Sequence, residues 1–310
     1  MQQKQVIDLA ITLDWEHDWD FVRLVEKEAQ THGLTTYVIW PENLEEALKR
    51  LQRDELEIQL LFDRASTSSD DFTRLQYVLK EKGIDILEPL EKLRWASDKA
   101  TMHLEFITAG LETPFTIILP PYDSQPFIQV PSSDFIRLGR PFIIKPANTT
   151  GGSIGVVENA ETLEDVLRTR QEYKQDKYLL QEKVKPLEKD GRRFWFRGLY
   201  SCGLVQCAWW DDQTHRYEEL TPEEMEKYNL SPIFPIVEKI FQICRLRFFS
   251  TEIALTELMT FIVIDYVNET CDLRLQSLHY DGVPDPLVQN IASSLALYVR
   301  KRLRPLKRIS

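Results

Sequence analysis

The chain has 310 residues, 43% apolar and 28% charged, which is the composition of a globular protein large enough for two domains. Its net charge of -11 argues against a nucleic-acid partner, because Lys and Arg must neutralise phosphates in such complexes. No apolar stretch approaches the roughly 20 residues of a membrane span, and Asp8 interrupts the first apolar run. The four cysteines form no CxxC pair. We therefore expect a cytoplasmic protein without signal peptide, membrane contact or nucleic-acid partner.

The C-terminal tail is a local exception to the acidic charge. Residues 300–308 contain six basic side chains. Cations at the end of a helix complement its dipole, and a basic patch can also dock an acidic partner. We favour the solvated helix end and leave a docking role open.

Strand-like and helix-like segments alternate in the first ninety residues. The apolar runs are VIDLAITL, TTYVIW, IQLLF and DILEP, and the amphipathic stretches between them are DWDFVRLVEKEAQTHG, NLEEALKRLQRDE and DDFTRLQYVLKEKG. This order predicts a parallel sheet covered by helices on both faces. A ligand of such a sheet lies beyond the carboxyl ends of its strands, where the loops DWEHDW and DRASTSS occur.

The rest of the chain mixes helices with strands of antiparallel character. A helix ending at Gly110 precedes a strand after Pro114, and the strands RPFIIKP and VVE enclose the glycine loop ANTTGGSIG. The segments RRFWFRGLY and LVQCAWWDD flank the turn SCG, which predicts a β-hairpin. The strand FIVIDYV and helices near 231–245 and 286–302 complete an α/β (α+β) pattern.

The glycine loop admits three interpretations. It is not a Walker A loop, because Lys145 precedes the glycines instead of following them. The segment 151–155 matches the G-x-S-x-G elbow of serine hydrolases, but that elbow leads directly into a helix, whereas a strand follows here. The third interpretation is a flap whose backbone N–H groups fold over phosphates. It explains Lys145 in an apolar strand, since a buried Lys needs an anionic partner or a lowered pKa.

Together these segments resemble the ATP-grasp superfamily, the fold of D-alanine-D-alanine ligase, glutathione synthetase and related carboxylate-amine ligases. The resemblance covers most of the chain. It implies an N-terminal Rossmann-like parallel-sheet domain at 1–90, a central subdomain with the flap at 91–185, and a C-terminal subdomain with the metal site at 186–310. It also implies an ADP-forming ligase that uses ATP and Mg²⁺ on a small-molecule substrate, with a homodimer left open. An ATP-grasp kinase of a small metabolite and a non-catalytic ATP-binding protein are the alternatives.

The resemblance also assigns a nucleotide site. SDKATMHLEFITAG is similar to the family's opening helix, FIIKPANTTGGSIGV to its second lysine and flap, and YLLQEKVKPLE to the hinge that reads adenine through main-chain groups. The residues implied to hold the nucleotide are Lys99, Lys145, Thr150, Gly151, Gly152, Ser153, Gly155, Gln181, Glu182, Val184 and Glu188. Gln181 stands where Glu is more usual, and Glu188 would bind the ribose hydroxyls. Arg193, on one period-two face with Trp195 and Arg197, is implied to meet the triphosphate.

FFSTEIA and FIVIDYVN are similar to the strands that supply the metal ligands, which implies Glu252, Asp265 and Asn268. Two carboxylates and an amide suit Mg²⁺, which prefers oxygen ligands and substrate phosphates. The family's usual spacing is acid-x-Asn, whereas Asp265 and Asn268 are three apart and would face opposite sides of a regular strand. We therefore expect a β-bulge at Tyr266 or Val267, or the end of the strand, to re-aim one of them.

Candidate substrate residues follow the predicted strands. Asp14, Glu16 and Asp18 stand beside Trp15 and His17, an acidic and aromatic lining that favours an ammonium group. Arg64 and the catalytic candidate Arg274 are suited to hold a carboxylate or a phosphate, and Ser277 follows in the same segment. We therefore hypothesise that one substrate is an amino acid or a similar zwitterionic metabolite. The alternative is that these loop charges are solvated.

Overall fold

The structure is a computed structural model that describes residues 4–149 and 154–304. Its strands are β1 (Gln5–Thr12), β2 (Thr36–Ile39), β3 (Leu56–Phe62), β4 (Asp85–Ile86), β5 (Thr116–Leu119), β6 (Phe142–Pro146), β7 (Val157–Ala160), β8 (Tyr178–Glu182), β9 (Glu188–Lys189), β10 (Arg192–Arg193), β11 (Trp195–Ser201), β12 (Leu204–Asp211), β13 (Arg216–Glu219), β14 (Phe248–Leu255) and β15 (Phe261–Asn268). Its helices are α1 (Trp19–Thr31), α2 (Pro41–Gln52), α3 (Asp70–Glu81), α4 (Leu90–Ser97), α5 (Lys99–Thr108), α6 (Ser132–Leu138), α7 (Leu163–Thr169), α8 (Pro222–Lys227), α9 (Ile233–Cys244) and α10 (Asp285–Leu303).

The N-terminal sheet is parallel and has the strand order β2-β1-β3-β4. The last residues of β1 and β3 are buried on both faces, as expected of a parallel sheet that helices cover. Because β1 and β3 are neighbours, the loops that follow them meet at one edge of the sheet. The predicted alternation of strands and helices is confirmed, and so is the mixed fold class.

The remaining strands form antiparallel sheets. The central sheet has the order β5-β8-β6-β7, the C-terminal sheet has the order β13-β12-β11-β14-β15, and β9 pairs with β10. The predicted hairpin joins β11 to β12 through Cys202 and Gly203, whose φ angles of 51° and 100° are both positive. Two-residue hairpin turns of this kind match the twist of the strands. This prediction is confirmed.

The predicted helix that ends at Gly110 is in fact two helices. Asp98 separates α4 from α5 and has an extended backbone, and its carboxylate accepts a hydrogen bond of 3.0 Å from the Thr101 N–H. An aspartate in this position satisfies an unpaired N–H of the first turn, so it starts a new helix. Lys99 is thereby the first residue of α5.

Apolar packing and hydrogen bonds join the N-terminal sheet to the C-terminal half of the chain. Helix α10 packs on α1, and apolar residues of both helices belong to one core with residues of β1 and β11. After β4, the buried side chain of Glu88 accepts a hydrogen bond of 2.7 Å from the Arg247 N–H at the start of β14. Within residues 4–149 and 154–304, no helix is long and apolar enough to cross a membrane.

Candidate nucleotide and metal site

Three charged residues lie opposite one another across the C-terminal sheet. Arg197 on β11 is paired with Glu252 on β14, and Glu252 is paired with Asp265 on β15. Directly opposed residues project from the same face of a sheet. Arg197 Nη2 lies 2.9 Å from Glu252 Oε1, and Trp195 Nε1 donates a hydrogen bond of 2.9 Å to Glu252 Oε2. Glu252 is therefore held in one orientation, with the Asp265 carboxylate beside it.

A register shift in β15 brings the predicted metal ligands to one face. Glu252 pairs with Asp265 and Ser250 pairs with Asn268, so two steps on β14 match three steps on β15. The Asp265 carbonyl accepts a hydrogen bond of 2.6 Å from the Thr251 hydroxyl at this bulge. Residues two apart on a strand share a face, so the partners of Glu252 and Ser250 also share one. The expected bulge at Tyr266 or Val267 is confirmed.

Lys145 reaches this row from the central sheet. It lies on β6, is buried, and donates a hydrogen bond of 3.4 Å from Nζ to the Ile264 carbonyl on β15. Its ammonium is also 5.2 Å from the centre of the Tyr266 ring, within reach of a cation–π interaction. Burial, helped by the charge of Lys99, lowers the pKa of Lys145 to about 8. The lysine that the sequence predicts within an apolar strand therefore lies against the strand of the predicted metal ligands.

The charges around Asp265 favour its ionised form. Burial alone would raise the pKa of this carboxyl, but Lys99, Lys145 and Arg197 together hold it below its ordinary value. The three cations come from α5, β6 and β11, so the fold converges positive charge on one carboxylate. A carboxylate in such surroundings can retain its charge and bind a cation and phosphates together.

The oxygen atoms of the predicted metal ligands fit a magnesium ion whose remaining ligands are phosphates. Among the described residues, no hydrogen bond reaches the side chains of Asp265 and Asn268, so their oxygens keep free lone pairs. The described parts of the chain contain no group of three or more His, Cys, Asp or Glu side chains that would hold a metal alone. Mg²⁺ usually takes one or two carboxylates and draws its other ligands from water and substrate phosphates. Glu252, Asp265 and Asn268 suit that mode of binding.

The predicted hinge residues continue from this site along β8. Gln181 is buried and donates hydrogen bonds from Nε2 to the Tyr266 hydroxyl at 2.9 Å and to the Thr116 hydroxyl at 3.1 Å. The Glu182 N–H donates to a carbonyl of the neighbouring segment, whereas the Val184 N–H makes no backbone hydrogen bond to a described residue. Val184 thus has a main-chain donor available for a ligand, and the role of both residues stays a prediction.

His103 completes a buried chain of polar groups behind the site. Its Nδ1 lies 2.9 Å from the Tyr266 hydroxyl, which Gln181 also contacts. Burial, together with the charge of Lys145, lowers the pKa of His103 to about 4. The imidazole is therefore neutral at neutral pH, and it adds no further positive charge next to Lys145.

The flap lies between β6 and β7. Asp176 accepts hydrogen bonds from the backbone N–H groups of Asn148 at 2.8 Å and Thr149 at 3.0 Å, which anchors the start of the flap. At its end Gly155 has φ 71°, and a Cβ there would lie 2.7 Å from the Tyr173 ring, so glycine is required. The predicted phosphate-binding residues Thr150, Gly151, Gly152 and Ser153 lie outside the described residues.

The predicted ribose and triphosphate residues contact each other on β9 and β10. Arg193 Nη1 lies 2.6 Å from Glu188 Oε1, and its Nε and Nη2 each donate a hydrogen bond of 3.0 Å to Asp212. Arg197 is the arginine that lies in the row with the predicted metal carboxylates. The nucleotide roles of Glu188 and Arg193 stay predictions.

The predicted substrate residues lie around the loops after β1 and β3. Arg64 is buried and forms a bidentate pair with Asp18, with distances of 2.9 Å from Nε and 2.7 Å from Nη2. Asp14 is half-buried and accepts a hydrogen bond of 2.5 Å from the Ser68 hydroxyl. A cavity of about 290 Å³ opens between these residues. The structure thus brings Asp14 and Arg64 together.

The other substrate candidates have partners of their own or are exposed. Arg274 pairs with Asp272 at 2.7 Å and with Asp281 at 2.8 Å, and its guanidinium lies 5.5 Å from the centre of the Trp15 ring. Glu16 is exposed on a short 3-10 helix, 3.6 Å from His17. Ser277 is also exposed, and its N–H donates to Asp285. Their substrate roles stay predictions, and both carboxylates around Arg274 already balance its charge.

Sequence reasoning assigned no role to Arg197, and it placed Asp18 in the acidic lining after β1 without its ion-pair partner. An arginine between the aromatic residues of WFRGLY indicates a buried charge, and a buried charge requires a partner. That signal favours Arg197 over the more exposed Arg193. The sequence carries no comparable signal for the pairing of Asp18 with Arg64, because the two residues are distant along the chain.

The arrangement of sheets and site defines a class of protein. A parallel N-terminal sheet, followed by antiparallel sheets whose facing strands hold lysines and carboxylates, is the architecture that the family resemblance implies. The chain has the ATP-grasp fold. No family model matches its sequence, and no curated protein does.

Solved structures show what the chain is similar to. A RimK domain ATP-grasp protein from Sphaerobacter thermophilus aligns with a TM-score of 0.63 and 16% identity over 94% of this chain and 98% of that chain. D-cycloserine synthetase DcsG aligns with a TM-score of 0.64 and 14% identity over 97% of this chain and 100% of that chain. D-alanine-D-alanine ligase from Bacillus anthracis aligns with a TM-score of 0.57 and 13% identity over 97% and 100%. At these identities the likeness shows the fold.

Proposed function

We propose that the protein is an ATP-dependent ligase that joins a carboxylate to an amine and releases ADP. The observation that carries this proposal is the position of the buried Lys145 beside the paired carboxylates Glu252 and Asp265. A buried ammonium and two carboxylates are stable together when phosphates and a divalent cation complete the charges. The ATP-grasp fold supports the same function, because the similar structures include ligases.

Each charged group has a proposed role. Glu252, Asp265 and Asn268 would hold Mg²⁺, which supplies neutralisation of phosphate charge when bound. Lys145 and Lys99 would bind phosphate oxygens, which gives Lys145 the anionic partner that its buried position requires. Arg197 pairs with Glu252 and, together with Lys99 and Lys145, lowers the pKa of Asp265. The remaining assignments stand as proposed: Gln181, Glu182, Val184 and Glu188 at the nucleoside, and Arg193 and Arg274 as catalytic arginines.

The proposed reaction has two steps. A carboxylate oxygen of the substrate attacks the γ-phosphorus of ATP, the bond to the leaving ADP breaks, and an acylphosphate forms. The neutral amine nitrogen then attacks the acyl carbon, the bond to phosphate breaks as the amide bond forms, and the proton that the nitrogen loses passes to the leaving phosphate or to water. The chain contributes positioning and fixed charge, which are the dominant factors in phosphoryl transfer, and no side-chain nucleophile is required.

A coupled ADP-release assay tests this proposal against the two alternatives. The protein is incubated with ATP and Mg²⁺ and with pools of carboxylic acids, pools of amines, or both. A ligase releases ADP when acid and amine are present together. ADP release with one pool alone would indicate a kinase, and nucleotide binding without release from any pool would indicate a non-catalytic binding protein.

The variant Asp265→Ala is the matched test of the site. We expect it to bind a non-hydrolysable ATP analogue, because Lys145 remains, and to release no ADP. Binding is measured by calorimetry and turnover by the coupled assay. Full turnover in Asp265→Ala would remove this residue from the site and contradict the proposed roles.

A further inference from the structure

The turn that precedes β8 holds the end of β6, the strand that carries Lys145. Its Asp176 carboxylate accepts four hydrogen bonds from two consecutive residues. Oδ2 accepts the Asn148 N–H at 2.8 Å, the Thr149 N–H at 3.0 Å and the Thr149 hydroxyl at 3.3 Å, and Oδ1 accepts the Asn148 side-chain amide at 2.7 Å. One side chain therefore fixes the backbone at the point where β6 ends and the flap begins.

The Asp176 carboxylate is held by hydrogen-bond donors without a cation. It is buried and forms no ion pair with a described residue, and the ammonium of the neighbouring Lys177 contacts Asp98. A buried carboxylate is costly unless it is hydrogen-bonded, and hydrogen bonds to a charged acceptor are about twice as strong as those between neutral groups. The negative charge therefore holds the start of the flap more firmly than a neutral side chain would.

The same turn reaches Lys99, the other lysine that is proposed to bind phosphate. The Lys177 carbonyl accepts a hydrogen bond of 2.9 Å from the Ala147 N–H, and the Ala147 carbonyl accepts one of 3.1 Å from the Lys99 N–H. The side-chain partner of Lys177 is Asp98, which starts helix α5. Ala147 directly precedes the two residues that Asp176 holds. The backbone positions of both proposed phosphate lysines thus depend on one short stretch at the end of β6.

The turn also contacts the other end of the flap. Gly155 packs against the Tyr173 ring so closely that a Cβ at this glycine would lie 2.7 Å from it. The Tyr173 carbonyl accepts a hydrogen bond of 3.0 Å from the Asp176 N–H, so the ring and the carboxylate belong to one turn. Groups that are held in place before a ligand arrives lose less conformational freedom when they bind it, which raises affinity.

We propose that Asp176 is a positioning residue for the phosphates of ATP. Its carboxylate holds the end of β6 and the start of the flap, so that Lys145 and Lys99 meet the phosphate groups together. This inference rests on the proposed function, and Asp176 acts in it through residues 147–149 without touching the nucleotide. The adenine is proposed to bind main-chain groups of Glu182 and Val184 at the end of β8. The effect of Asp176 on affinity should therefore depend on how many phosphates the nucleotide carries.

Matched nucleotides separate this role from a general contribution to folding. Asp176→Ala removes all four contacts. The affinities of a non-hydrolysable ATP analogue and of AMP are measured with Mg²⁺ on the full chain, by calorimetry and by NMR titration. We expect the affinity for the ATP analogue to fall at least about tenfold and the affinity for AMP to change less than about twofold. A general disturbance of the turn would displace β8 and weaken both nucleotides alike.

Two further variants assign the effect to the carboxylate. Asp176→Asn keeps the size of the side chain but turns one acceptor oxygen into an amide donor that faces other donors. We expect it to weaken the ATP analogue and leave AMP unchanged, and it carries the test if Asp176→Ala does not fold. Asp123→Ala changes an exposed aspartate of the same subdomain that forms no hydrogen bond to the described residues 147–149, and it should leave both affinities unchanged.

The outcomes that overturn the inference differ from those that overturn the proposed function. Equal losses for the ATP analogue and AMP would make Asp176 a structural residue only and overturn the inference. Unchanged affinity for the ATP analogue in the Asp176 variants overturns it as well. An unchanged protein that binds the ATP analogue no more tightly than AMP would contradict the proposed phosphate site itself, so the two failures are distinguishable.

Discussion

Two carboxyl groups in different regions of this protein, the half-buried Asp265 and the buried Glu88, have opposite pKa shifts. Asp265, in the candidate metal site, is surrounded by Lys99, Lys145 and Arg197, which hold its pKa below the ordinary value although burial opposes them. Glu88, at the junction of the two halves of the chain, has a pKa of about 8, because burial outweighs the hydrogen bond from Arg247. Loss of water contact raises the pKa of both groups. The convergence of cations therefore distinguishes a carboxylate that is prepared for ligands from one that is merely enclosed.

Removal of Arg197 is expected to have the largest effect on this contrast. Arg197→Met leaves the Glu252 carboxylate without its ion pair and takes one cation from Asp265. Breaking a buried pair by removing one partner costs about 3–5 kcal/mol in the free energy of unfolding. Urea denaturation measures this cost. Arg193→Met is the control, since its pairs are partly exposed and worth at most about 1 kcal/mol each. Equal losses in both variants would contradict the distinction.

Removal of Lys145 tests whether the cations around Asp265 serve phosphates. We expect Lys145→Ala to weaken ATP binding by on the order of 100-fold, because a charge-assisted contact to phosphate is lost, corresponding to about 2.7 kcal/mol. The free energy of unfolding should change less, since a buried ammonium contributes little without its ligand. Calorimetry with ATP and Mg²⁺ measures the first effect. Lys80→Ala, an exposed lysine on α3, is the control, and unchanged ATP affinity in Lys145→Ala would contradict the site.

The third prediction concerns the pH dependence of stability through Glu88. In the unfolded chain this carboxyl ionises near its ordinary value of 4.5, whereas in the folded protein it keeps its proton up to about 8. Unfolding therefore releases a proton between these values, and stability falls as pH rises through that window. The slope reaches about 1.4 kcal/mol per pH unit and is absent below the window.

Glu88→Gln removes this proton and should flatten the profile. The free energy of unfolding in urea is measured for this variant and for the unchanged protein at about pH 5, 6.5 and 8, three values spaced roughly evenly across the window. The control is Glu91→Gln, three residues further on, where the carboxylate is exposed and its pKa is lowered by its backbone hydrogen bond and by Lys80. A profile of Glu88→Gln that matches the unchanged protein would show that Glu88 is ionised when buried.

Local patterns of the sequence predicted the fold well. The alternation of apolar and amphipathic segments in the first ninety residues indicated the parallel sheet, because burial on both faces leaves near-continuous apolar strands. The turn at Cys202 and Gly203 was visible because Gly203 separates two strand-like segments and glycine readily adopts a positive φ. The break at Asp98 was missed, although an aspartate before a helical stretch is a known start signal, because the apolar pattern continues across it.

The sequence predicted those site residues that can be recognised within one short segment. Lys145 within an apolar strand is a physical problem that the sequence itself displays. The extra residue between Asp265 and Asn268 is apparent only against the acid-x-Asn spacing that the family resemblance implies. The sequence does not show which residues pair when they are distant along the chain. The pairing of Arg64 with Asp18 depends on two loops meeting at the sheet edge, and the position of Arg197 opposite Glu252 depends on strand register. Those relations come from tertiary structure.

In a regular strand, the number of residues between two positions equals the number between their partners on the neighbouring strand. The bulge in β15 makes these two numbers differ. Asp265 and Asn268 are three residues apart along the chain, but their partners Glu252 and Ser250 are two apart, so the bulge brings the two proposed metal ligands to one face of the sheet. An inserted residue at such a point lengthens the chain and leaves the spacing of the ligand atoms intact. A strand can thus gain a residue next to a functional site and preserve the site, provided that the addition falls between the ligands and is absorbed as a bulge.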